Sequence, residues 1–304
     1  MKRGALAAGV AAVALGIAAA QATEVYRWTD AAGRPQYADH VDARVPAQQV
    51  ARVEVPIEAA AIARLRVEAG QDGALALVDN LLAGPIEVML HADGGGPFAS
   101  DPPLPARGTV PAQSGALLAR IASGTPRLRV VAVPGTPNAR PREVEYLYPL
   151  QTAALRIQQA WGGGFSHADA ENRHAVDFAA PVGTAVVAAR DGVVMQSEAG
   201  FADAAPGEDE DALVARANFI RILHDDGTMA LYAHLQPGGV LARLGQRVRR
   251  GQVIGLSGNT GRSTAPHLHF VLQANRGMRL QSLPFRMFGP QGILRFGDAQ
   301  AGGD

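Results

Sequence analysis

The chain contains no cysteine, and Lys2 is the single lysine among its 28 basic residues. Without thiols there is no disulfide, no lipid attachment through an N-terminal cysteine and no thiolate metal site. Any metal must be held by nitrogen and oxygen, and stability must come from apolar cores or from that metal. Net charge is missing too: 28 basic and 28 acidic residues balance to zero, which leaves no basic footprint for nucleic acid. Aromatic residues are scarce at 5%, whereas glycine (35) and proline (20) are plentiful. That balance favours turn-rich β structure.

At 304 residues the chain is long enough for two or three domains with cores of their own. A composition of 47% hydrophobic and 18% charged residues is that of a folded soluble protein, not of disorder. Residues 1–22, MKRGALAAGVAAVALGIAAAQA, have the plan of a secretory signal peptide. Lys2 and Arg3 form the basic start, Ala5 to Ala19 the apolar segment and Ala20-Gln21-Ala22 a small-x-small cleavage site. The apolar run is dominated by Ala and Gly and is short for a membrane span. The expectation is export to the periplasm or beyond, with no transmembrane anchor after cleavage. Loss of Lys2 and Arg3 takes the basic count from 28 to 26 against 28 acidic residues, a mature charge of −2.

Three further segments follow, and together they predict a mostly β chain. Residues 23–48 hold EVYRWTDAAGRPQYADHVD, where an alternating run, a turn at Ala31 to Arg34 and Gln36-Tyr37-Ala38 predict a small β-hairpin module with aromatic cross-strand partners. Its Trp-x-Asp-x-x-Gly-x-x-x-Tyr pattern resembles a short module of exported bacterial proteins, and His40 in its tail reads as solvated. Residues 50–150 alternate short apolar runs such as Ile86–Leu90, Ala116–Ile121 and Leu128–Val133 with Gly and Pro, which predicts a β-sandwich-like domain. It carries no catalytic spacing, His91 is isolated, and an envelope protein partner is a possible use for it. Residues 151–290 read as strands at Thr184–Ala188, Gly192–Val194, Phe219–Leu223 and Met229–Ala233, the last two flanking a tight HDDGT turn. Glycines at 245, 251, 255, 258 and 261 then mark bends in a curved sheet. FADAAPGEDEDALVARA, residues 201–217, reads as a solvated acidic insertion, or more sharply as a flap that screens substrates by charge. Residues 291–304 are a C-terminal tail.

Six of the eight histidines lie in the C-terminal half. In RSTAPHLHF, residues 262–270, His267 and His269 project from one face of a strand. Two imidazoles side by side make sense if one binds a metal and stays neutral. YAHL, residues 232–235, ends a strand on a third histidine, and HAVDFAAPVGTAVVAARDG, residues 174–192, places an aspartate just ahead of a strand. NFIRILHDDGTMALYAHL followed by GQRVRRGQVIGLSGNTGRSTAPHLHF resembles the LytM/lysostaphin-type zinc endopeptidases of bacterial cell walls.

The resemblance runs from about Gly162 to Phe285 and implies a compact antiparallel β-sheet peptidase domain with its site in a groove. It implies zinc held by Asp177, His269 and one upstream histidine, with His234 and His267 as catalytic residues. Asn218 matches a polar family position expected to contact substrate, whereas His224, beside the Asp-Gly turn, is expected to be structural. Peptidoglycan is the implied substrate. The competing expectation is a non-catalytic envelope protein that activates other wall hydrolases. The presence of all three ligand types and both catalytic histidines favours the enzyme.

The upstream ligand must be chosen within GFSHADAENRHAVDF, residues 164–178. His174 is three residues from Asp177, and three apart in an extended chain means opposite faces. A bulge could repair that parity, but only as an added assumption. His167 is ten residues away, joined by a polar stretch able to loop back, and it follows three glycines. A subgroup of the same family resembles this stretch more closely, with its ligand in Phe-Ser-His and a tyrosine where His174 stands. Asp169 and Glu171 are acidic but do not lead into a strand. His167 is therefore the expected ligand, and His174 is expected either to support the ligands from behind or to contact substrate.

Overall fold

The computed structural model describes residues 25–30, 34–38, 45–46, 50–53, 60–70, 73–94, 96–152, 155–204, 208, 213–289 and 291–296. The expected signal peptide, His40, the expected turn of the N-terminal hairpin, most of the acidic run and residues 297–304 lie outside them. Among the described residues the regular structure is strand throughout. No helix there is long and apolar enough to cross a membrane.

Near the N-terminus, Val25–Thr29 pairs with Pro35–Ala38 as the alternation predicts. The register differs from the expected aromatic pairing, because Tyr37 stands opposite Arg27 and Trp28 opposite Gln36. A third strand, Ala51–Val53, pairs on the other side of Val25–Thr29 and continues this sheet beyond residue 48.

Two sheets follow, one of four strands and one of three. Ala63–Gly70, Gly73–Asn80, Gly115–Ser123 and Ala99–Asp101 make the first; Leu128–Pro134, Ile86–Ala92 and Ala106–Val110 make the second. Alternate residues turn inward, so Ala76 and Val78 meet Ile86, Val88 and Leu90 in one core. Met195 and Met229, from the C-terminal sheet, complete that core. The sandwich is thus packed directly onto its neighbour.

The C-terminal region is a ten-stranded sheet whose pairings are all antiparallel. Its middle runs Val176–Ala179, His267–Asn275, Met229–Val240, Asn218–Leu223, Gly192–Glu198. Phe178, Ile220, Ile222, Tyr232, Phe270 and Leu272 fill the core beneath one face. Fully burying each such side chain contributes roughly 1.5 to 3 kcal/mol. A separate small sheet joins Glu145–Leu147 in parallel to Arg286–Gly289, so the chain enters the C-terminal region before residue 150.

Candidate metal centre

Adjacent strands bring Asp177 opposite His269, and Ala179 opposite His267. These side chains leave the sheet on the face away from the core, because Phe178, Leu268 and Phe270 between and beside them belong to the core. The loop after Trp161 carries His167 to the same place, fully buried. One ligand atom each from His167, Asp177 and His269 lie within 4.8 Å of one another. His269 Nδ1 is 2.9 Å, and His167 Nε2 3.3 Å, from Asp177 Oδ1. Two histidines and one carboxylate from separate segments converge on one point.

His234 reaches this point by a backbone device. Simple alternation along Met229–Val240 would put it on the core face with Tyr232. Instead the register slips between Asn218 and Phe219, and His234 takes φ = 62°, a left-handed value uncommon for a residue with a Cβ. The bulge re-aims its ring and returns Leu235 to the core. Its ring then lies 4.6 Å from that of His267 and 5.8 Å from that of His269, between centroids. Local backbone strain of this kind persists where the surroundings over-determine it.

Main-chain carbonyls fix three of the four rings. His167 Nδ1 lies 2.9 Å from the Ala160 oxygen, His234 Nδ1 2.7 Å from that of Thr260 and His267 Nδ1 2.7 Å from that of Ala265. A carbonyl only accepts, so each Nδ1 carries the hydrogen and a neutral ring presents the Nε2 lone pair. For His167 that lone pair faces a carboxylate oxygen. Two acceptors at 3.3 Å repel unless a proton or cation lies between them. The donor set, neutral nitrogen and carboxylate oxygen with no thiolate, suits zinc. The residues fit the ion.

The electrostatics agree. Burial would raise the Asp177 carboxyl, but the adjoining His167 and His269 rings hold it far below the usual carboxylate range. Burial would lower His167, yet its bond to Asp177 wins and raises it. Desolvation pushes His234 down to about 3, with His267 and His269 adding to the effect, and desolvation also lowers His267. His234 and His267 are therefore neutral imidazoles beside one ionised carboxylate.

Two of the candidate residues have partners away from the centre. His174 is packed elsewhere: its ring meets Trp161 edge-on at 5.1 Å, and its Nδ1 lies 3.1 Å from Ser282 Oγ. The reason is also not strand parity, since His174 sits in a turn and the strand begins only at Val176. Asn218 is fully buried, and both ends of its amide are occupied by the main chain of Phe201 at 2.9 and 2.7 Å. It ties down the base of the acidic insertion. The residues that sequence reasoning passed over are Thr260 and Ala160, which act through main-chain oxygens and so leave no signal in residue type. Thr260 also receives the Asn218 N–H on its hydroxyl and forms a bridge with Asp203. The acidic insertion is rooted beside the oxygen that orients His234.

Comparison with known proteins accords with this geometry. Residues 171–280 match peptidase family M23, and this segment is an M23 peptidase domain, homologous to LytM/lysostaphin-type peptidoglycan endopeptidases. The match begins beyond His167, so that residue's place rests on the distances above. Residues 12–64 match a domain of unknown function, DUF4124. Over 96 residues the chain is 42% identical to peptidoglycan DD-endopeptidase ShyA of Vibrio cholerae, covering 32% of this chain and 19% of ShyA. Over 105 residues it is 41% identical to glycyl-glycine endopeptidase ALE-1 of Staphylococcus capitis, covering 34% of this chain and 25% of ALE-1. The similarity thus spans a quarter or less of either relative. The solved structure of lysostaphin from Staphylococcus simulans is 30% identical, with 40% of this chain and 43% of that chain covered at a TM-score of 0.30. The strand pairing, not that superposition, defines the fold.

Proposed function

We propose that this protein is an exported zinc metalloendopeptidase that hydrolyses peptide bonds in peptidoglycan stems or cross-links. The observation that carries the reading is the buried convergence of His167, Asp177 and His269, with two further imidazoles facing it. His167, Asp177 and His269 hold the metal in this reading. A zinc ion bound there supplies Lewis-acid polarisation of the scissile carbonyl and a lowered pKa for water. The remaining tasks belong to the protein. His234 and His267, neutral and turned Nε2-outward by Thr260 and Ala265, are placed to accept a proton and return it to the leaving amine. An imidazole that has taken the proton becomes a donor, able to stabilise negative charge developing on the substrate oxygen. Peptidoglycan follows from the M23 relatives, and export from the pattern of residues 1–22.

The test is bound zinc and muropeptide release, measured for wild type, His167→Ala, His174→Ala and His234→Ala. Wild type is expected to bind zinc and release muropeptides. His167→Ala loses zinc and release together, His174→Ala keeps both in large part, and His234→Ala keeps zinc without turnover. Unchanged release by His167→Ala would overturn the ligand set. No release by zinc-loaded wild type from several wall preparations would favour the activator class instead.

A further inference from the structure

The face of the large sheet that carries the metal centre has a second polar feature, which zinc binding does not use. At one end of this face stand His267, His269 and Asp177. At the other, Met195, Met229 and Leu223 are covered by the sandwich core. Between the two ends lies Arg221. The register places it opposite Leu231, itself opposite Val271, while His269 stands opposite Ala233. Two strand spacings and two residues of rise separate Arg221 from His269, about 12 Å between Cα atoms.

Arg221 is buried, with 7% of its surface exposed. Its guanidinium bonds only to neutral amide oxygens: Nε to Gln196 Oε1 at 3.1 Å, and Nη1 to Gln273 Oε1. Among the described residues no carboxylate comes within ion-pair distance, and Glu171 acts on it only from farther away. Gln273 is itself held, its amide donating to the Glu171 carbonyl on the loop that follows His167. A buried cation with no carboxylate in direct contact is costly to keep. A guanidinium fixed on two sides retains donors for a planar anion.

We propose that Arg221 forms a subsite for a carboxylate of the bound peptide, about three or four residues from the scissile bond. The inference rests on the peptidase reading. It names the substrate class further, as stem peptides with a free carboxylate in preference to their amidated counterparts. Arg221 is then a specificity determinant, with Gln196 and Gln273 as its positioning residues.

The test compares two defined stem peptides, one with its carboxylates free and one with them amidated, on zinc-loaded wild type, Arg221→Gln and Gln273→Glu. The last places a carboxylate of the protein itself against the guanidinium and retains the charge, which guards against a folding defect in Arg221→Gln. Both kcat/KM and the Kd for the peptides bound to His234→Ala, alone and combined with Arg221→Gln, are measured. Wild type is expected to prefer the free acid, and each variant to reduce the free-acid to amide ratio by roughly 10- to 100-fold. A ratio unchanged in the variants, whatever their absolute rates, makes Arg221 a brace and overturns the proposal. If neither peptide is cleaved by wild type, the peptidase reading fails, and the Kd ratio alone decides the subsite.

Discussion

The hairpin made by Asn218–Leu223 and Met229–Val240 carries a histidine near each end, His224 buried and His234 half-buried, and the two are alike in most local respects. His224, in the turn, has Nδ1 2.8 Å from the Asp191 carbonyl; His234, in the bulge, has Nδ1 2.7 Å from that of Thr260. Desolvation pushes both down, to about 4 and about 3. What differs is the company. His224 packs against the Tyr146 ring at 5.8 Å, and its Nε2 has no hydrogen-bond partner. His234 faces two other imidazoles and, beyond them, an ionised carboxylate. Burial and a depressed pKa therefore do not mark a reactive histidine here. In the proposed function, convergence with groups from other segments does.

The largest expected effect exposes that contrast directly. His234→Ala is expected to lower muropeptide release by about 10²- to 10⁴-fold, the usual worth of a general acid or base, while bound zinc stays near one equivalent. His224→Gln should leave release within a few-fold of wild type. Steady-state rates with zinc analysis on the same samples check both. A comparable loss of turnover in His224→Gln, with stability intact, would break the comparison, because a histidine outside the centre would then be governing the chemistry.

The second effect separates the two ends by pH. A histidine depressed in the folded state binds fewer protons there than in the unfolded chain, so it costs stability as pH falls. The cost is absent above the unfolded value near 6.5 and complete below about 4. Over that window wild type should lose about 3 kcal/mol more than His224→Gln. Denaturant unfolding of the metal-free proteins at several pH values between 7 and 4 measures the difference, in which the shared histidines of the metal centre cancel. Parallel curves for the two proteins would show that His224 is not the buried titrating group.

How far the sequence discloses this contrast depends on whether a residue's role is set by its own strand or by its neighbours. Period-two alternation is sufficient for Ile86–Ala92, Gly115–Ser123 and the shared face of His267 and His269, since each is a property of one segment. The same rule misplaces His234, because the bulge that re-aims it depends on the facing strand. It also gives no reason to single out Arg221, which alternates like any outward residue and yet is only 7% exposed. Asn218 shows the converse. A polar residue at the family's position is read as a substrate contact, but an insertion that ends just before it supplies Phe201 as its partner. The grouping of His167, Asp177 and His269 was legible through the family resemblance, not periodicity. A chain without cysteine that aligns three segments of histidine and aspartate leaves few alternatives.

The smallest effect tests whether the two ends differ in backbone as well as in side chains. Gly227 and Gly261 are both left-handed, with φ of 81° and 75°. A Cβ at Gly227 would meet the Ala139 Cα at 3.0 Å, and one at Gly261 the Ala217 Cα at 2.9 Å. Each alanine substitution should cost about 2 kcal/mol, from left-handed strain and the displaced neighbour. Beyond stability their consequences part. Gly227→Ala disturbs the turn next to His224, where nothing reacts, and kcat at a temperature well below Tm should hold. Gly261→Ala presses on Ala217, directly before Asn218, and lies next to Thr260, whose carbonyl orients His234. A shift of that oxygen misaligns the Nε2 lone pair, so kcat should fall by about tenfold while bound zinc is retained, since small misplacements at such a site are expensive. Equal kcat in the two variants, at matched stability, would mean that the His234 ring is held by its imidazole neighbours and not by the loop behind it.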